Sequence, residues 1–293
     1  MRLGILLSQL RLEEKLLFAA AERAGVTIVR VFDKELIFDL DRPTFPEVDL
    51  VLDRGLVHSR AEYSLLVLRN LGVPTINSYE ATITCDNKFL TTMALRQANV
   101  PTLRTLIAYT PQSALEAIER IGYPVVLKPP VGSWGRLLAK INDREAAEAV
   151  LEHKEILGSY HHSIFYIQEY VPKPDGDIRA FVVGDRVIGA SYRSSSHWIT
   201  NVARGAQTTP CAVTSQLEEI SLRAAQTVGG EILGVDLVQT PDGLKVIEIN
   251  TGAEFKGLVE ATGVDVPALI IDYACNRAKH SMAPEQSATG VTT

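Results

Sequence analysis

Asp236, Glu248 and Asn250 lie in one stretch, GVDLVQTPDGLKVIEIN from Gly234 to Asn250, and are the side chains whose spacing best suits chemistry. Asp236 and Glu248 are equally far from Asp242, so a three-residue turn at Pro241-Asp242-Gly243 sets the two carboxylates opposite each other in a β-hairpin. Asn250 shares their face because strand side chains alternate. Like charges directly opposed destabilise a sheet, so the pair wants a counter-charge. Two carboxylates and a carboxamide suit a hard cation such as Mg²⁺, which also takes phosphate oxygens. A two-residue turn would send Asp236 and Glu248 to opposite faces. The competing reading is a solvated hairpin end.

Other residues invite anion chemistry. Val131-Gly132-Ser133-Trp134-Gly135-Arg136 follows Lys128-Pro129-Pro130, and its two glycines permit a loop whose N–H groups cradle an anion, with Arg136 adding charge. No GxxxxGK[ST] occurs, so it is not a P-loop, and a plain hairpin turn is the alternative. Lys128 ends the apolar run VVLK, where a buried ammonium needs an anion. A phosphate and a structural carboxylate would serve equally. Lys88 falls within a helical stretch, CDNKFLTT, where solvent exposure is the default. Arg179 and Arg193 sit at the ends of a hairpin turning at Gly184-Asp185, at offsets that do not place them opposite one another. With Asn201 and Arg204 in NVARGA they make a cluster of donors for carboxylate or phosphate, against surface ion pairing for any one of them. His153, His161 and His162 lack zinc-ligand spacing, and His197 beside Ser194–Ser196 has neither a nucleophile elbow nor an orienting acid.

The elements that must position these groups are legible. Leu3–Leu7, Val26–Phe32, Val48–Leu52 and Val73–Ile76 read as strands alternating with helices at Leu12–Ala24 and Ala61–Leu71, which makes a small parallel sheet. No GxGxxG follows its first strand, so no dinucleotide site is expected there. One helix is expected over 79–98, capped by Ser78. A strand at Thr105–Tyr109, a helix at Pro111–Ile121, strands at Pro124 onward and Leu137–Ile141, and a helix to Leu157 follow. Then come the strand Ile164–Val171, the hairpin around Gly184-Asp185, a helix over Thr214–Val228, the opening hairpin and a closing helix over Pro267–Arg277.

At 293 residues, 46% hydrophobic and 22% charged, the chain can build more than one lobe. Its net charge of −6 disfavours a general nucleic-acid binder. Cys85, Cys211 and Cys275 form no CxxC pair and read as reduced packing residues of a cytoplasmic protein. The first apolar run is too short for a signal peptide or a membrane span, and the tail 281–293 reads as disordered.

Taken in order, KPPVGSWGR, YIQEYV, DIRAFVVG, HWITNVARG and EINTGAEFKG resemble the ATP-grasp ligases, and within them the RimK-like subgroup that includes the LysX- and ArgX-type amino-acid–carrier-protein ligases. The resemblance covers about Met1 to Lys279. It implies an α/β (α+β ATP-grasp) fold: an N-terminal pre-ATP-grasp lobe over 1–80, a central lobe over 81–163 and a C-terminal lobe over 164–280, the last two clasping ATP. Lys88 and Lys128 would hold phosphates under the loop Gly132, Ser133, Trp134, Gly135 and Arg136. Gln168 to Val171 would be the ATP-binding hinge strand, with Glu169 and the backbone of Tyr170 and Val171 addressing the adenine, and Asp177 would meet the ribose or its neighbourhood. Arg193 would neutralise the transferring phosphoryl group, with Lys128 and Arg204 also catalytic. Asp236, Glu248 and Asn250 would hold Mg²⁺, or Mn²⁺ as a substitute, and Arg179, Asn201, Arg204, Asn250, Glu254, Phe255 and Lys256 would bind substrate. The implied reaction joins the amine of glutamate or α-aminoadipate to the C-terminal Glu of a small acidic LysW-like carrier through an acyl phosphate. Gly257 stands where the LysX type has asparagine, which leans toward glutamate. A cytoplasmic homodimer or homotetramer without nucleic-acid or membrane partners is implied as well.

Overall fold

The computed structural model describes residues 1–132, 136–157, 164–200 and 205–282, which fall into two compact units. The first comprises Met1–Tyr79 with the chain from Asp265 onward. Its strands β1 (Arg2–Leu7), β2 (Thr27–Phe32), β3 (Leu50–Arg54) and β4 (Thr75–Ile76) form a parallel sheet in the order β2-β1-β3-β4. The nearly continuous apolar composition of β1 fits burial on both faces. Helices α1 (Leu12–Arg23) and α2 (His58–Asn70) occur as expected, α2 starting earlier than its apolar spacing suggests.

The second unit, Glu80–Val264, holds two antiparallel sheets. The helix expected over 79–98 is two helices, α3 (Tyr79–Asp86) and α4 (Lys88–Gln97). Asn87 separates them: its extended backbone bridges to Val131, and its side chain accepts the N–H groups of Phe89 and Leu90 as the cap of α4. Next come β5 (Thr105–Ala108), α5 (Pro111–Ile121), β6 (Val125–Lys128), β7 (Ala139–Ile141), α6 (Arg144–Leu157) and β8 (Phe165–Glu169). These strands pair in the order β5-β8-β6-β7. Residues of α5 and α6 bury one face of that sheet around Ile118, Val125, Leu151 and Phe165.

The third sheet runs β11-β10-β9-β12-β13. It is built from β9 (Asp177–Val183), β10 (Arg186–Ser194), β11 (Gln207–Cys211), β12 (Ile232–Thr240) and β13 (Gly243–Asn250), with α7 (Ser215–Val228) between β11 and β12. Ile178, Ala180, Val182, Val235, Leu237, Val246 and Ile249 pack against apolar side chains of α7 and α4 on one face. Because side chains alternate, Asp177, Arg179, Arg193, Asp236, Glu248 and Asn250 are committed to the other face. After β13 a short α8 (Lys256–Thr262) packs on β10 and β11, and α9 (Val266–Met282) returns to the first unit against α1 and β3. The sequence reading anticipated neither β11 nor α8. Both are short, and their burial comes from neighbours distant in the chain.

Among the described residues no helix is long and apolar enough to cross a membrane. All three cysteines are free, with Cys85 and Cys211 buried.

Candidate functional site

The opening hairpin turns in two residues, not three: Thr240 pairs with Gly243 around Pro241-Asp242. A regular ladder would then put Asp236 opposite Ile247 and expel Glu248 to the apolar face. Instead the register shifts beyond the Leu237–Val246 pair, Ile247 is left as a bulge, and Asp236 pairs with Glu248. Asn250 pairs with Gly234 on the same face. The expected juxtaposition therefore stands, by a different route.

A second bulge does the same for β10. Ile188 is skipped between the Val187–Val182 and Gly189–Phe181 pairs, so Arg193 lies opposite Asp177 and Arg179 opposite Ser191. Glycine at 176 is obligatory beside this pairing: its φ is +90°, and a Cβ there would fall 2.1 Å from the Arg193 carbonyl oxygen.

The cations expected along the chain converge here. Lys88 is buried, not exposed, because the helix break at Asn87 makes it the first residue of α4. Its Nζ donates to the Gly132 carbonyl oxygen at 2.6 Å and lies 3.5 Å from Glu248 Oε1. Lys128, at the end of β6, is paired with no carboxylate among the described residues. Its Nζ donates at 2.7 Å to the amide oxygen of Gln168, and the Gln168 Nε2 donates to Tyr166 Oη at 3.2 Å and Thr105 Oγ1 at 3.4 Å. Tyr166 Oη is 2.7 Å from Thr92 Oγ1. Burial pushes the Lys128 ammonium down to about 8, with Glu248 pulling the other way. A buried ammonium on a neutral acceptor is an anion site in waiting.

Arg193 bridges two carboxylates, with Nε on Asp177 Oδ1 at 2.7 Å and NH2 on Asp236 Oδ2 at 2.9 Å. Arg179 grips Asp236 side-on at 2.8 and 2.9 Å. Burial alone would raise the Asp236 carboxyl, but Arg179 and Arg193 outweigh it and hold it at about 2. Burial opposes the Arg193 charge too, and Asp236 and Asp177 more than restore it. Lys173 and Thr200, which the sequence did not single out, complete the network. Lys173 Nζ donates to Asp177 Oδ2 at 2.9 Å and Thr200 Oγ1 at 2.8 Å, and the Thr200 hydroxyl also donates to Asp177 Oδ2. Lys173 carried one local signal, its place between two prolines just past β8; Thr200 carried none. Around these groups five cationic side chains (Lys88, Lys128, Lys173, Arg179, Arg193) face three carboxylates (Asp177, Asp236, Glu248), a surplus that favours a polyanion.

Next to this charged end opens a cleft enclosing about 740 Å³ including its mouth. Its walls include Val126, Leu138, Tyr170, Val171, Val238 and the bulged Ile247. Lys140 Nζ sits 3.8 Å over the Tyr170 ring, and Trp198 meets that ring edge-on at a centroid distance of 6.5 Å. Glu169 lines the same cleft and accepts the Arg104 N–H at 2.8 Å. A cleft with apolar walls that is also lined by Lys128, Lys173 and Arg193 has the room and charge for a nucleotide.

For a hard cation the donor set is Asp236, Glu248 and Asn250. Among the described residues no group of three His, Cys, Asp or Glu side chains could hold a metal, so the carboxamide has to count. It fits: the three share one face, Glu248 Oε1 has Lys88 Nζ at 3.5 Å, and Asp236 accepts three donors where a carboxylate offers about four lone-pair sites. Burial pushes the Cys85 thiol far up, which removes it as a nucleophile. Ser133, Trp134, Gly135, Asn201, Arg204, His161, His162 and the tail 283–293 lie outside the described residues, while Arg136 is described and exposed.

Residues 85–274 match the RimK-like ATP-grasp domain, and residues 3–84 match the LysX preATP-grasp domain. The chain belongs to the RimK-like ATP-grasp family. This fold binds ATP, and the mixed α/β architecture expected from the sequence is the one observed. The chain is 35% identical over 272 residues to the alpha-aminoadipate–LysW ligase LysX of Saccharolobus solfataricus, covering 92% of this chain and 99% of that one. Identity is 33% to the glutamate–LysW ligase ArgX of Sulfolobus acidocaldarius, over 94% of this chain and 99% of that one. It is 38% to the tetrahydromethanopterin:alpha-L-glutamate ligase of Methanococcus maripaludis, over 86% and 87%. Among solved structures, a RimK-domain ATP-grasp protein of Sphaerobacter thermophilus superposes with a TM-score of 0.81 at 26% identity, covering 94% of this chain and 99% of that one.

Proposed function

We propose that this protein is an ATP-dependent carboxylate–amine ligase that joins the α-amino group of an acidic amino acid, glutamate or α-aminoadipate, to the C-terminal Glu of a small acidic LysW-type carrier in lysine- or arginine-type biosynthesis. The observation that carries it is the convergence of Lys88, Lys128, Arg193, Asp236 and Glu248 at the charged end of a nucleotide-sized cleft. Relatives named as LysW ligases match almost the whole chain.

A substrate carboxylate attacks the γ-phosphorus of ATP, forming a C–O–P linkage and releasing ADP. The amine then attacks the acyl carbon, the C–O bond to phosphate breaks, and the amide forms as the amine loses its proton. No protein nucleophile is required; positioning and charge neutralisation carry phosphoryl transfer. Lys88 and Lys128 hold the phosphates, and Arg193 neutralises the transferring group. The backbone of Tyr170 and Val171, with Glu169 and the apolar walls, receives the adenine. Asp177, both of whose oxygens are engaged, serves the ribose end through Lys173 and Thr200. Asp236, Glu248 and Asn250 would hold Mg²⁺, or Mn²⁺ in its place, which neutralises phosphate charge when bound. Arg179, Asn201, Arg204 and the segment Asn250–Lys256 bind the joining substrates. We place the enzyme in the cytoplasm as a homo-oligomer.

The test is to incubate enzyme, ATP and Mg²⁺ with the carrier and glutamate or α-aminoadipate, then read ADP release and carrier mass. A carrier heavier by one dehydrated amino acid supports the reading; ADP release without any amide product opposes it. The 38% identity to a ligase named for tetrahydromethanopterin supports a second reading, in which glutamate is the amine and the acid is a small molecule. Product formation without a protein carrier would select it.

A further inference from the structure

The polar face of the five-stranded sheet carries a ladder of alternating charge: Lys173, Asp177, Arg193, Asp236, Arg179. Arg179 is its end member, and its side chain is 18% exposed where that of Arg193 is 6%. Nε and NH2 of Arg179 are committed side-on to Asp236, and NH1 has no hydrogen-bond partner among the described residues. The side chain lies over Gly234, where a Cβ would fall 3.5 Å from Nε. That same Cβ would fall 2.6 Å from the Ala253 Cβ, so the guanidinium borders the segment after β13. Across the ladder from Gly234, the Nδ2 of Asn250 is buried without a hydrogen-bond partner among the described residues. A guanidinium edge and a carboxamide N–H₂, neither with a partner among the described residues, therefore belong to side chains that adjoin Gly234.

Two such donors recognise a carboxylate. In this arrangement, though, the anion would also meet Asp236, the carboxylate that Arg179 grips and shares with Arg193. Like charges this close repel strongly at a partly buried site. Neutralising the Asp236 charge would leave more of the Arg179 positive charge to an incoming anion.

We propose that Arg179 is the anchor for a carboxylate of the acidic amino acid whose amine is ligated, and that Asp236 masks it until a cation shared with Glu248 neutralises that carboxylate. The proposal rests on the ligase reading and deepens it by naming the recognised group and the order of loading. Metal–nucleotide and amino acid then bind with positive coupling, and coupling of equilibrium affinities is reciprocal.

The experiment is calorimetric titration of L-glutamate and L-α-aminoadipate, with L-alanine as control, into enzyme free of metal and nucleotide. Asp236→Asn is expected to bind the two diacids about tenfold more tightly than wild type, within the usual range for coupled sites. L-alanine shows no such gain, and Arg179→Met loses diacid binding. A folded Asp236→Asn protein that binds diacids no better than wild type overturns the proposal. Where that variant does not fold, the wild type decides. Mn²⁺ affinity in the presence of a non-hydrolysable ATP analogue, read by electron paramagnetic resonance, is expected to rise about tenfold with glutamate and not to rise in Arg179→Met. Equal coupling in both proteins overturns it. Wild-type enzyme that ligates glutamate to the carrier yet shows no dependence of diacid binding on Asp236 sinks this inference and leaves the ligase reading intact.

Discussion

Lys128 is held by a chain of neutral groups, Gln168 first, then Tyr166 and Thr92. Its proton loss near pH 8, driven by burial, has a functional sign. The ammonium binds phosphate and the amine does not, so the KM for ATP is expected to rise as pH goes from 7 to 9. Lys128→Arg, ionised throughout, is expected to bind ATP less well at pH 7 and to flatten that rise; an unchanged alkaline limb would assign it to another group. Lys128→Met is expected to raise the KM by tenfold or more, since charged hydrogen bonds are worth roughly 1.5–3 kcal/mol. Asp236 titrates at the other extreme. Its folded value of about 2 lies below the unfolded value of roughly 3.9, so the stability it contributes is present above pH ~4 and lost as pH falls toward 2.

At the scale of elements, two bulges and one helix break aim the site. Gly176→Ala would push a methyl into the Arg193 carbonyl and strain a backbone at φ +90°. We expect a loss of about 1–3 kcal/mol in urea unfolding and, on the role proposed for Arg193 at the transferring group, a fall in kcat larger than any rise in KM. A variant with wild-type kcat would show that β9 and β10 tolerate the displacement. Asn87→Ala removes the cap of α4 and is expected to cost about 1 kcal/mol while loosening Lys88. Weaker ATP binding should accompany the lower melting temperature; a change in stability alone would separate the helix break from phosphate binding.

At the scale of the molecule, the surplus cations around Asp177, Asp236 and Glu248 repel one another until an anion arrives. Magnesium with a non-hydrolysable ATP analogue is therefore expected to raise the melting temperature, by about 2.7 kcal/mol of linkage at a hundredfold excess over Kd. Lys88→Met should show a smaller shift at the same concentration. Identical shifts would place the nucleotide elsewhere than the cleft beside β6 and β8.

Chain order and side-chain type were enough to nominate Lys88, Lys128, Arg193, Asp236, Glu248 and Asn250, and to locate most strands and helices, because period and capping are local properties. They were also enough for the family, whose motifs are runs of adjacent residues. What local pattern could not supply was register. The skipped residues Ile188 and Ile247 are ordinary strand formers, and nothing in their own stretch marks a bulge. The apolar face beneath α7 and α4 decides it, since Leu237, Val246 and Ile249 must all point inward together. Lys88 became a buried side chain only where Asn87 meets Val131. Lys173 and Thr200 joined the site only through Asp177. The sequence chose the chemical groups. Burying one face of a sheet chose which of them meet, because moving a strand by one residue exchanges its two faces.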